Sequence, residues 1–316
     1  MKLGASIGQA LDMPVGSSKW GWRRFWSDSA LAYLFLLPTL AVLGTFSFYP
    51  VVKAAILSFY NYDAMNPYDV PFVGLANYKE VLTDPVFWKA VGHTMIYVVG
   101  TVPAQILIAL GVALLLNQKL KFRAFYRLSF FIPYITTVVA VSMVWLWIYH
   151  DQWGLLNYFL SWFHISPQKW LLDPRWTMLT IIVMSVWKMS GYTMLLFLGG
   201  LQNVDKELYN AARVDGANDW QGFWKITWPL LSPTTFFITI TSLIGAFKVF
   251  TEIFVLYGGS PGPTRAGTTI VFYIYEAAFK DHRMGFASAA AYVLFFMVLA
   301  VTIFQMWYAR KRVHYS

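Results

Sequence analysis

The chain has 316 residues, 58% of them hydrophobic and 12% charged, with a mean hydropathy of +0.52. So little polar surface cannot cover so much apolar side chain, which excludes a soluble globular protein and describes a chain that crosses a membrane several times. The net charge of +9 gathers in short segments between apolar runs, where membrane topology rather than nucleic acid explains it, and the absence of cysteine excludes disulfides, thiolate metal sites and cysteine nucleophiles.

Residues 1–29 place Lys19, Arg23 and Arg24 among Trp20, Trp22, Phe25 and Trp26, a mixture suited to the headgroup layer ahead of a span. The apolar run that follows is too long for a signal-peptide core and lacks a small-residue cleavage site, so an anchor rather than a cleaved leader is expected. Six spans of about 20 residues are predicted, at Ala30–Phe48, His93–Leu116, Leu128–Ile148, Thr177–Leu201, Thr234–Leu256 and Gly285–Trp307. This divides the chain into an interfacial segment (1–29), a first span with its outer loop (30–92), a transmembrane domain (93–307) and a tail (308–316). Lys119, Lys121, Arg123 and Arg127, the polar stretch with Lys206, Arg213 and Lys225, and the tail with Arg310, Lys311 and Arg312 all fall on one side with the N-terminus. The excess of Lys and Arg assigns that side, and both termini, to the cytosol. Lys53, at the far end of the first span, reads as a snorkelling anchor. The opposite segments, 61–91 and 149–176, carry Asp63, Asp69, Glu80, Asp84 and many aromatics, with Gly154 opening a short apolar helix. They are long for connectors, which points to a cap and interaction surface on the outer face.

The polar stretch Leu201–Pro233 holds the strongest internal pattern. Asp205 caps a helix whose Leu208, Ala211 and Ala212 share a face, Gly216 ends it, and Asn218 caps a second helix carrying Trp220, Phe223, Trp224 and Thr227, which Pro229 and Pro233 stop. The product is a helix-turn-helix on the membrane surface. Asn210-Ala211-Ala212, Asp215-Gly216-Ala217, Phe223, Ile226 and Pro229 resemble the Glu-Ala-Ala loop of the permease subunits of binding-protein-dependent ABC importers, with Asn210 standing where that family usually has glutamate. Arg127, Pro133, Gly154, Asn157, Trp187, Gly191 and the turn 258–262 extend the resemblance, and the first span and outer loop are similar to the carbohydrate-uptake variety that serves maltose, lactose and glycerol phosphate. The resemblance implies an all-α polytopic fold, the type-1 transmembrane domain, with a cytosolic coupling loop at 202–233. It implies that Glu207, Asn210, Ala211, Ala212, Asp215, Gly216, Ala217 and Phe223 couple to an ATPase. It also implies a bacterial inner-membrane complex with a second homologous permease, an ATPase dimer and an extracellular solute-binding protein, and the import of a sugar, polyol or glycerol phosphate.

Ionisable residues inside spans mark routes or helix-locking pairs. Lys188, near the middle of the fourth span, is expected either to line the solute route or to pair two helices. Lys248 and Glu252 stand at i, i+4 in the fifth span, where they neutralise each other and border the route if they do more than pair. Trp187, Tyr192, Phe247 and Phe250 offer ring faces to a sugar if their helices face inward. Enzymatic readings fail. Gly258-Gly259-Ser260-Pro261-Gly262 matches a nucleophile elbow formally, but Pro261 lacks the N–H an oxyanion hole requires. His93, His150, His164, His282 and His314 have no metal-ligand spacing, and no phosphate-binding loop exists. The chain is therefore expected to be no enzyme and to bind no cofactor, with ATP and Mg held by the ATPase partner. The alternative is a self-sufficient secondary transporter or channel, weakened by the lack of an evident repeat. An enzyme acting on lipid-linked sugars would need paired carboxylates, and Asp215 and Asp219 straddle a glycine turn.

Overall fold

The computed structural model describes residues 22–312, with side chains for 33–309. The basic aromatic segment expected ahead of the first span and the cationic side chains of the tail lie largely outside these residues. Among them every regular element is helical, and the chain forms two compact units, one up to Lys53 and one from Ala54.

The first unit is a helix, α1 (Trp22–Leu43), that widens into a π turn at Gly44–Phe48 before α2 (Tyr49–Leu57) begins. The Tyr49 N–H reaches back to Gly44 O, just ahead of Pro50, whose ring and missing N–H interrupt the ordinary ladder.

The second unit is built on α4 (Pro85–Asn117) and α8 (Pro174–Gln202), which pack along each other. Both start with Asp followed by Pro: Asp84 accepts from Val86 N at 2.8 Å and Asp173 from Arg175 N at 2.9 Å, while the proline fills a position whose N–H has no helical partner. Helix α4 therefore starts at Pro85 rather than near His93, and its 33 residues extend about 50 Å, well beyond a hydrocarbon core of about 30 Å. Its exposed face is apolar (Ile96, Val99, Leu107, Leu115) and its buried face carries Thr94, Thr101 and Gln105. Lipid welcomes the first, and only the protein interior satisfies the second. One core cluster joins Phe87, Val98, Ile181, Met184, Ile253 and Ala290; a second joins Ala109, Leu110, Met194, Phe197, Leu231 and Ile238.

Two expected spans are broken. The span Leu128–Ile148 is two helices, α5 (Arg123–Ile135) and α6 (Val138–Ile148), meeting at 100°, with Thr137 capping α6. The span Thr234–Leu256 ends early: α12 (Ser232–Ala246) gives way to irregular backbone at 247–250 before α13 (Thr251–Leu256). Lys248 thus lies outside any helix, the i, i+4 alignment with Glu252 is lost, and no ion pair joins the two among the described residues. With each bent pair counted as one crossing, the helices supply up to six spans, the last, after the short α14 (Ile270–Tyr275), being α15 (Met284–Arg312).

Two short helices lie in the segments between spans. Helix α3 (Ala76–Thr83) packs on α15, where Arg283 grips Glu80 with two hydrogen bonds of 2.8 Å. Helix α7 (Leu155–Ser161), opened by Gly154 as expected, presents Tyr158, Phe159 and Trp162 outward and buries Asn157.

Candidate functional site

A cavity of about 490 Å³ lies inside the second unit, bounded by the middle of α4, the end of α5, the centre of α8 and the broken backbone after α12. Helix α4 contributes Tyr97, Thr101 and Gln105, a polar stripe at i, i+4, i+8 in an otherwise apolar span. Gln105 Nε2 donates to Ser242 Oγ at 2.6 Å and to Thr193 Oγ1 at 3.3 Å, tying α4 to α12 and α8. The facing wall is aromatic: the rings of Tyr134 and Tyr192 stack at 4.5 Å with an interplanar angle of 11°. Thr241, Lys248, Thr251 and Glu252 finish the lining, with Lys248 exposed and Glu252 buried. The breaks in α5–α6 and after α12 sit against this space, in keeping with the rule that irregular backbone at membrane depth survives where it lines a cavity.

Of the route residues expected from sequence, Tyr192, Lys248 and Glu252 reach the cavity. Phe247 is buried in the core and Phe250 packs among Phe254, Phe272 and Tyr275. Trp187 is turned outward, edge-on to Trp145, beside a second, apolar hollow of about 500 Å³. Lys188 is behind the cavity wall, with its ammonium 3.1 Å from Tyr134 O. Tyr97, Thr101, Gln105, Tyr134, Thr193, Thr241, Ser242 and Thr251 were not anticipated from the sequence. The α4 stripe was recoverable, since three polar side chains on one face of an apolar span have no other place to go. Tyr134 was not, because its place depends on the 100° turn.

The polar hairpin forms as its local signals require. Asp205 accepts from Glu207 N at 2.9 Å and opens α9 (Lys206–Val214). At its end Gly216 takes φ +79°, Gly216 N donates to Arg213 O at 3.1 Å and Ala217 N to Ala212 O at 2.9 Å. This pair of bonds closes a helix with a left-handed residue, which favours glycine. Asn218 and Gln221 then exchange side-chain and backbone hydrogen bonds as a capping box for α10 (Asp219–Gly222). Pro229 does not stop the second helix. The backbone widens into a π turn at Phe223–Thr227, Trp228 N reaches Phe223 O, and α11 (Trp228–Leu230) carries the chain on to a 62° bend before α12. The spacing from π turn to proline repeats that at Pro50.

Tyr209 OH and Thr227 Oγ1 lie 2.8 Å apart and clasp the two arms. Glu207, Asn210, Ala211, Asp215 and Gly216 are exposed, Ala212 and Ala217 are half-buried, and Phe223 leans against the second core cluster. Leu208 and Val214 also remain exposed, at 45% and 88%. No side chain of α9 is buried within the chain.

Asn157 holds the loop 149–176 together. Its Nδ2 donates to Asp151 O (2.8 Å) and Gln168 O (3.0 Å), and its Oδ1 accepts from Gln168 N (3.1 Å) and Trp170 Nε1 (2.8 Å). At the start of α8 the Arg175 guanidinium, hydrogen-bonded to Asp173, holds that carboxyl below the usual carboxylate range.

Comparison with known proteins agrees with this architecture. The sequence pattern of binding-protein-dependent transport system inner membrane components matches residues 87–314. The arabinooligosaccharides transport system permease protein AraP of Halalkalibacterium halodurans is 36% identical over 286 residues, covering 90% of this chain and 89% of its own. The lactose transport system permease protein LacF of Rhizobium radiobacter is 34% identical over 284 residues, covering 89% and 94%. The fold matches a chain of a bacterial alginate ABC transporter, solved in complex with an alginate pentasaccharide-bound periplasmic protein, with a TM-score of 0.79 at 23% identity over 92% of this chain and 97% of that one. The chain is thus a multi-pass membrane protein of the binding-protein-dependent transport family, an ABC-importer permease subunit.

Proposed function

We propose that the cavity is the route by which a sugar or sugar-like solute crosses the membrane, and that the hairpin receives the force that opens and closes it. The observation that carries the reading is the pairing of a stacked tyrosine wall with a Gln105–Ser242–Thr193 amide and hydroxyl wall in one intramembrane space. The negative faces of aromatic rings attract the C–H edges of a sugar ring, while amides and hydroxyls exchange hydrogen bonds with its OH groups. The names of the relatives, which concern arabinooligosaccharides and lactose, support a carbohydrate.

In this reading the exposed face of α9, with Glu207, Asn210, Ala211, Ala212, Asp215, Gly216 and Ala217, seats in an ATPase subunit. Small side chains permit close approach, and Leu208 and Val214 gain burial worth roughly 1.5–3 kcal/mol each. Phe223 acts from behind, fixing the second arm against the core. ATP and Mg are held by the ATPase dimer, a second homologous permease completes the channel, and the outer loops receive a loaded solute-binding protein. The hairpin and both termini face the cytosol of a bacterial-type inner membrane.

The test is uptake of radiolabelled lactose and arabinotriose into proteoliposomes holding the chain with its ATPase, partner permease and binding protein. ATP-dependent uptake that requires the binding protein is expected. Flux through the chain reconstituted alone would overturn the reading in favour of a secondary carrier, and ATP-dependent uptake of non-carbohydrates only would overturn the assignment of the solute.

A further inference from the structure

Solute passage through the cavity leaves Lys188 without a task. It is 4% exposed, halfway along α8, and it stands outside the cavity lining. A buried ammonium in a membrane span is costly enough that its partners define its purpose. Its Nζ donates to Tyr134 O at 3.1 Å and lies 5.5 Å from the centroid of the Tyr134 ring.

Tyr134 is the next-to-last residue of α5, and its carbonyl would bond the N–H of Val138 if the helix continued. The chain instead turns through 100° there, so that carbonyl loses its helical partner at membrane depth, where an unpaired polar group is expensive. An ammonium answers both the missing hydrogen bond and the negative end of the helix dipole. The close approach that allows this is set nearby: a Cβ at Gly191 would stand 1.8 Å from Phe130 O, so only glycine lets α5 lie this near α8.

The tyrosine so held is half of the aromatic wall. Its ring stacks on Tyr192, which follows Lys188 by one helical turn on the same face of α8. Lys188, Tyr134 and Tyr192 therefore form a closed circuit in which α8 supplies both the anchor and the partner ring.

We propose that Lys188 is the positioning residue of the solute platform: by holding the broken end of α5 it keeps the rings of Tyr134 and Tyr192 parallel in the cavity wall. It touches no solute itself. The proposal rests on the cavity being the solute route, but its geometric half holds without any solute.

The experiment therefore has two arms. In the first, amide hydrogen exchange is followed in the purified full chain without solute. Lys188→Met is expected to speed exchange in the segment 134–139 about tenfold, with the other spans unchanged, and Lys188→Arg, which keeps a charged donor, is expected to stay near wild type. In the second, uptake of lactose and arabinotriose by the assembled transporter is measured. Lys188→Met is expected to raise KM about tenfold with Vmax within twofold, Tyr134→Leu to do the same, and the double variant to be no worse than Tyr134→Leu alone.

Unchanged exchange in Lys188→Met would overturn the proposal, as would losses that add in the double variant, or a fall in Vmax at constant KM. Should Lys188→Met fail to accumulate, Lys188→Gln, which retains a donor without charge, is expected to fall between Met and Arg in both arms, and equality with Arg would overturn the role of the charge. If the wild type carries neither sugar, the solute reading fails while the exchange arm still decides the role of Lys188.

Discussion

Gly216 offers the sharpest test of the hairpin, because its environment separates backbone conformation from steric contact. Its φ of +79° is left-handed, and a Cβ added there would meet nothing within 4 Å. A substitution therefore acts through the backbone alone, at about 1 kcal/mol for Ala and about 2 kcal/mol for the β-branched Val, while Asn, which tolerates this region, costs only a few tenths. The two hydrogen bonds that close α9, from Gly216 N and Ala217 N, depend on that conformation. A shift of 1–2 kcal/mol depopulates the native turn by roughly 5- to 30-fold relative to its alternatives. In the reconstituted transporter, ATP hydrolysed per sugar delivered is expected to rise in the order Gly, Asn, Ala, Val, with the chain still inserted and its thermal unfolding little changed. Wild-type coupling in Gly216→Val would refute the docking role, and an Asn variant as impaired as Val would refute the conformational reasoning.

Gly191→Ala places a methyl group 1.8 Å from Phe130 O, a clash with backbone that only a shift of α5 relieves, so a lower unfolding temperature and loss of about 2 kcal/mol or more are expected in detergent. Asn157→Leu removes four hydrogen bonds of 2.8–3.1 Å and leaves Trp170 Nε1 and the Gln168 peptide without these partners; a loss of about 2–3 kcal/mol and rapid proteolysis within 158–169 are expected, with the spans intact. Gln105→Leu unties Ser242 and Thr193 inside the cavity and is expected to weaken sugar affinity at least about tenfold, read as KM in uptake. Asp173 titrates below the usual carboxylate range when folded, so its stabilising contribution is complete above the ordinary carboxylate pKa of about 4 and is lost as pH falls through the lower folded value. Hydrogen exchange at the start of α8 is expected to accelerate in that acid window, and Arg175→Met, which raises the folded value toward the ordinary one, is expected to shrink the acceleration.

The features read correctly from sequence are those whose cause is local. The apolar proportion alone required a membrane, since no arrangement of the chain could hide so many apolar side chains in water. The hairpin was legible because a cap, a left-handed glycine and a second cap act within a few residues of one another. Even where the sequence reading erred on an end, as at His93, the Asp-Pro signal at Asp84 was present and local.

What the tertiary structure decided is where the spans break and which side chains those breaks assemble. Pro133 before Thr136 and Lys248 beside Phe247 interrupt the apolar runs without fixing a break, because the turns are stabilised by partners from other helices and by the cavity they enclose. Lys188 meets a carbonyl 54 residues away, and Gln105 meets Ser242 across 137. Local preference, acting over a few residues, capped α4 and α8 and shaped the hairpin. The cavity was set by packing between distant helices, where a buried charge or amide settles against whichever group removes the cost of its burial.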